Sequence, residues 1–210
     1  MTDISANPER SNGNDSAASD GDERHAVQTY VSDMLALERH IAEPLKHQTG
    51  DAGDASGSAA LALTAQIRST CEAHVVALTA CLAQLGGHEA SGVKSAWSSL
   101  LGVGAAAIDG VRKTKVSKNL RDDYAALSLA SISYTMLHAT AVGIGDTAVA
   151  ELAVRHLADY ARAVMQIAQV MPVVVLSELR EDGQDVQTNA AELVRQQTND
   201  VWKSQAEVTA

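Results

Sequence analysis

Residues 31–45, VSDMLALERHIAEPL, decide the fold. Val31, Met34, Glu38, Ile41 and Leu45 recur at three- and four-residue steps, the spacing of one face of an α-helix. Four of these side chains are apolar and the fifth is a carboxylate. Residues 67–85, IRSTCEAHVVALTACLAQL, repeat the pattern. Ile67, Cys71, His74, Leu78, Cys81 and Leu85 share a face, and an imidazole interrupts it. A charge taken out of water is paired, neutralised or metal-bound, because leaving it alone is too costly. Both segments therefore predict helices that turn one polar group each into a common core.

Helices extend outward from these two stretches. The first runs from about His25 to Gln48, with Pro44 bending it or marking its last turns. Thr49 to Ser58 reads as a Gly/Asp/Ser loop. The second helix covers about Ala59 to Leu85 and stops at Gly86-Gly87. The third covers about Ser117 to Ile144, is small and apolar on nearly all sides, and ends at Gly145. Asp146 is a good N-cap for a fourth helix that reaches about Met171, where Pro172 should end or kink it. A last amphipathic stretch, Val186 to Trp202, predicts a fifth helix on the bundle or on a second subunit.

Residues 93–110 read as a broken, glycine-interrupted helix crossing between two hairpins. The basic stretch after it, Arg112, Lys113, Lys115, Lys118 and Arg121, reads as a solvated linker. A long connection between the second and third helices suits a single-crossover, ferritin-like four-helix bundle better than an up-down-up-down one. The expected division is a disordered acidic tail over 1–23, a ferritin-like bundle over 24–180, and a C-terminal amphipathic helix and tail over 181–210.

A two-metal carboxylate bundle takes one Glu from each of two helices and a Glu-x-x-His pair from each of the others. This chain offers Glu38 on the first helix. On the second, His74 is in register, but Cys71 stands three residues earlier, and Glu72 points about 100° away from it. The third helix has no interior acid and offers Ser131, Tyr134 and His138. The fourth offers His156 at the edge of its apolar face and Asp159 on its flank. A full di-iron site is not encoded. The candidate ligands are Glu38, His74, His138, His156 and Asp159, for iron, manganese or zinc.

Each candidate also has a reading without metal. Glu38 can be hydrogen-bonded to His74 or a buried tyrosine, a pair that fixes helix register. His138 can bond a backbone carbonyl or a tyrosine hydroxyl. His156 and Asp159 can form a surface pair one helical turn apart. Cys71 and Cys81, ten positions apart on one helix, stand about 15 Å from each other and cannot form a disulfide. They read as reduced, buried thiols.

Leu37-Glu38-Arg39, Leu85-Gly86-Gly87 and Ile144-Gly145-Asp146, followed by Leu152 and Leu157, resemble the YciE/YciF-type stress-response branch of ferritin-like proteins. The resemblance covers roughly residues 25–171. It implies a four-helix ferritin-like bundle, often dimeric and linked to stress responses. In that frame Glu38 matches the first-helix carboxylate, His74 a second-helix polar position and Asp159 an acid of the fourth helix. The chain departs from the branch at Thr70-Cys71, where an acid is expected, and at Ala130, where a third-helix Glu is expected.

Composition narrows the partners. The 210 residues carry a net charge of −10, no Phe and 3 Pro. Six acids among residues 1–23 face only Arg10 there. This balance argues against nucleic acid. No apolar signal segment and no run long enough to span a bilayer were expected, which predicts a cytoplasmic protein without a membrane partner. Two functions are expected from different classes. One is a ferritin-like stress-associated protein with a degenerate, mononuclear metal site. The other is a non-enzymatic bundle acting as a homodimer or on a protein partner through residues 93–110 and 184–203. A small-ligand cavity beside the Ala-rich third helix is a third reading.

Overall fold

The computed structural model describes the backbone of residues 14–48, 55–87 and 115–208, and the side chains of 24–48, 57–87 and 115–204. Among these residues the protein is all-α. Five helices lie among them: α1 Asn14–Leu45, α2 Ala55–Gln84, α3 Val116–Ile144, α4 Thr147–Glu181 and α5 Ala190–Val208. Residues 93–110 lie outside the described residues. The helix α1 begins at Asn14, inside the stretch expected to be a tail. The fifth helix begins later and ends later than Val186 to Trp202 suggested.

The stripes read from the sequence become the core. Val31, Met34, Ile41 and Leu45 of α1 are buried with Ile67, Cys71 and Leu78 of α2. Leu120, Leu127, Ala130, Tyr134, Leu137 and Ala141 of α3 and Ala153, Tyr160 and Ile167 of α4 are fully enclosed with them. The helix α1 packs on α2 and α3, and α4 packs on the same two, so α2 and α3 meet only slightly across a diagonal. The helix α5 packs on α4.

Hydrogen bonds fix the directions. Gln28, near the middle of α1, donates to the Leu85 carbonyl just past the end of α2. Gln48, just past α1, donates to Asp123 in the first turns of α3 at 2.8 Å. The end of α2 therefore lies beside the middle of α1 and the start of α3 beside its C-terminal end, and the twenty residues from Gln28 to Gln48 at ~1.5 Å each separate them by about 30 Å.

The connection from α3 to α4 is as short as the sequence implied. Gly145 adopts a left-handed φ of 81° that other residues resist, and the Asp146 N–H reaches back to the Ala141 carbonyl at 2.8 Å. The Asp146 side chain then accepts from the Val149 N–H at 3.0 Å and caps α4.

Of the two outcomes expected at Pro172, an end or a kink, the end is excluded, since α4 runs through it to Glu181. A tertiary contact holds the turns beyond it. The Glu178 carboxylate accepts from the Ser117 backbone N–H at 2.8 Å and from the Ser117 hydroxyl. Lys115 meets Asp182 nearby. The Lys115 side chain does not cap α3. The last turns of α4 thus supply an acceptor to the open N-terminus of α3.

One expectation about membranes is corrected. By length and composition alone, α3 and α4 are each long and apolar enough to cross a bilayer, and 33% and 28% of those stretches are buried. Their Ala, Ser and Thr residues interrupt any continuous apolar run while keeping charge sparse, which is why reading for unbroken runs missed them.

Candidate metal centre

Four helices place polar groups at one level of the core. Glu38 sits between Leu37 and Ile41 on the buried stripe of α1 and is 0% exposed. His74 lies one turn after Cys71 on the buried face of α2. The helix α3 contributes Tyr134, and α4 contributes His156 and Tyr160 from successive turns of its core face.

The Glu38 carboxylate collects hydrogen bonds from three helices. Its Oε1 accepts from the Tyr134 hydroxyl and faces His74 Nδ1 at 3.0 Å. Its Oε2 accepts from the Tyr160 hydroxyl. The Tyr160 oxygen also meets Cys71 Sγ at 3.1 Å. On its far side, His74 Nε2 faces Asp159 Oδ2 at 3.4 Å, so this ring bridges α1 to α4. Asp159 is half-exposed and also pairs with Arg162 at 3.2 Å, which makes it the outermost member of the network.

Directions of donation settle the tautomer of His156. Tyr134 spends its one O–H on Glu38, so its oxygen accepts from His156 Nδ1–H at 2.9 Å. Burial, and then the neighbouring His74, press the His156 pKa down to about 3, so the ring is neutral. A neutral ring protonated at Nδ1 carries its lone pair on Nε2, as a metal ligand must. Burial, with Glu38 second, raises the phenol pKa values of Tyr134 and Tyr160 and lifts Cys71 to about 12. All three keep their protons at neutral pH.

One donor atom from each of Glu38, His74 and His156 lies within 4.8 Å of the other two. Two imidazoles and one carboxylate form a donor set that suits a first-row divalent ion. The two imidazoles stack with centroids 3.7 Å apart and planes 10° apart. The lone pairs of parallel rings lie in parallel planes and do not converge, so a shared ion requires one ring to turn.

Three of the five predicted ligands therefore come together. Asp159 joins through His74. His138 stands apart, donating from Nδ1 to the Ala150 carbonyl at 3.1 Å, a contact within the α3–α4 hairpin that matches its metal-free reading. The alternative of a surface His156–Asp159 pair is overturned, since His156 is 6% exposed and bonds Tyr134. The third helix does supply an interior polar group, Tyr134, in place of a carboxylate. Tyr160 is a further member that the candidate ligands did not include. A signal was available: a chain with no Phe keeps two tyrosines in its core, and each hydroxyl has work there.

The surface hollows lie elsewhere. One, apolar, opens between α2 and α4 at Ala62, Leu63, Met165 and Val170. The other lies between α4 and α5 at Gln169, Arg195 and Lys203. Neither is the cavity expected beside the third helix.

Compared with protein-family models, curated proteins and solved structures, the chain matches none.

Proposed function

We propose that this protein is a ferritin-like, stress-associated bundle with a degenerate, mononuclear metal site. Glu38, His74 and His156 are its ligands, and Asp159 orients His74 from the solvent side. The carrying observation is the convergence of three donor atoms within 4.8 Å, all from buried side chains of three helices. Burial of so many polar groups has a desolvation cost that a bound ion would offset. The ferritin-like part of the reading is supported by helix order. Neighbours α1–α2, α1–α3, α2–α4 and α3–α4, with the end of α2 about 30 Å along α1 from the start of α3, fit a single long crossover. Iron, manganese and zinc all fit two imidazoles and a carboxylate, and a bound ion would supply Lewis-acid or one-electron chemistry.

Elemental analysis of protein purified without an affinity tag tests the site. The expected result is about one ion per chain, lost in Glu38→Ala and in His156→Ala while the helical spectrum persists. Metal-free wild-type protein that also fails to take up added Fe(II), Mn(II) or Zn(II) would sink the reading.

A second reading rests on the outer surface. Leu193, Val194, Val201 and Trp202 of α5 are exposed, with Trp202 at 64%. Ile132 and Met136 are exposed on α3. Such faces favour a non-enzymatic role through self-association or a protein partner. Light scattering with size exclusion checks it: a dimer that Val201→Asp with Trp202→Asp converts to monomer supports this reading, and a wild-type monomer opposes the dimer.

A further inference from the structure

A second buried polar cluster lies away from the Glu38 network. Asp123, in the first turns of α3, is 6% exposed. Gln48 Nε2 donates to its Oδ1 at 2.8 Å. The remaining oxygens of the two groups, Asp123 Oδ2 and Gln48 Oε1, are buried and have no partner. Buried acceptors without donors are rare in folded proteins, and two in one contact cannot satisfy each other. A single proton removes both deficits, because a carboxylic acid donates through its second oxygen.

We infer that in mildly acidic solution Asp123 is protonated in the folded protein and that its O–H then closes a reciprocal acid–amide clasp with Gln48, tying the end of α1 to the start of α3. The surroundings favour the neutral acid. Asp122 beside it in α3 is negative and already holds Arg121 at 2.7 Å. On α2, Cys71 interacts with Asp123 electrostatically and keeps its proton. Near the end of α1, His47 is exposed and lies 3.7 Å from Glu43. Among the described residues no cation pairs with Asp123. Burial, reinforced by Asp122 and opposed by the Gln48 hydrogen bond, raises its pKa to about 6 from 3.8.

The sign of the pH effect follows from the raised value. The clasp contributes fully below the unfolded value of 3.8 and is lost as pH rises through about 6. Above that, a carboxylate stays buried with one donor and the Gln48 carbonyl is left without any. The junction is thus a tie that acid fastens and neutral pH loosens.

Two measurements test it. In side-chain carboxyl ¹³C NMR of the full chain, Asp123 should titrate with a midpoint near 6. Between about pH 5 and about pH 8 the wild-type melting temperature should fall relative to that of Asp123→Asn, which keeps a neutral side chain throughout. A midpoint at or below 3.8, or melting curves that stay parallel across the range, overturns the clasp. So does a midpoint that drops when sodium or calcium chloride is added, which would assign the two oxygens to a cation. Should Asp123→Asn not fold, the wild-type titration decides alone.

Discussion

Glu38 accepts three hydrogen bonds, so what happens to its donors governs the effect of mutating it. Glu38→Leu alone strands Tyr134, Tyr160 and His74, and should cost about 3–5 kcal/mol of stability in a denaturant melt. Replacing Glu38 and His74 together by Leu should recover only the share due to His74, because the Tyr134 and Tyr160 hydroxyls still lack their acceptor. A double variant no more stable than the single one would contradict this account. The tyrosines should differ from each other. Tyr160→Phe removes one donor to Glu38, at about 1.5–3 kcal/mol. Tyr134→Phe removes another and also leaves His156 Nδ1–H without its acceptor, so it should be the more damaging of the two. At this scale the sequence was informative wherever a polar residue broke an apolar stripe, as Glu38 and His74 do. It was silent at Tyr160, because a phenol on a core stripe looks the same whether its hydroxyl is used or not. His156 was ambiguous because a position at the edge of a face can turn either way, and the Tyr134 oxygen turned it inward.

Helix ends were legible where the signal is local and misread where it is not. Gly86, Gly145 and Asp146 act within their own turns, and the structure places them as stops and a cap. Pro172 carries an equally local stop signal, yet α4 continues through it, and its last turns hold Glu178 against Ser117, far away in sequence. Glu178→Ala should therefore destabilise the start of α3, by about 1 kcal/mol, the usual value of an N-terminal cap. Hydrogen exchange of the first α3 amides, compared with that of α2, checks which helix loosens. Faster exchange confined to the end of α4 would argue against the capping role.

The whole molecule titrates on two opposed limbs. Asp123 weakens the fold as pH rises through about 6. His156 acts the other way. Its folded pKa of about 3 lies below the ordinary 6.5, so its contribution is complete above 6.5 and is lost as pH falls toward 3. Between pH 3.8 and about 6 the two slopes oppose and largely offset each other in a plot of melting temperature against pH. His156→Phe should therefore uncover the fall with rising pH due to Asp123, and Asp123→Asn the fall with falling pH due to His156. The class of fold and its four long helices were legible because hydrophobic spacing repeats over many turns. The two hairpins were legible too, but which helix of one faces which helix of the other was not, since amphipathic stripes say that a face is buried without saying against what.

The network around Glu38 is divided between the two hairpins, and that division bears on how the chain folds. Within α1 and α2, Glu38 meets His74; within α3 and α4, Tyr134 meets His156. The bonds from Tyr134 and Tyr160 to Glu38, and from His74 to Asp159, exist only after one hairpin docks on the other. A half-folded chain therefore exposes unmet donors and acceptors along the very surface it must bury. Docking then completes these bonds in one late step. Removing either tyrosine hydroxyl should leave the refolding rate nearly unchanged and speed unfolding, the signature of contacts made after the rate-limiting barrier. Stopped-flow chevrons of Tyr134→Phe and Tyr160→Phe would reveal it, and a slowed refolding arm would instead place the network in the folding nucleus.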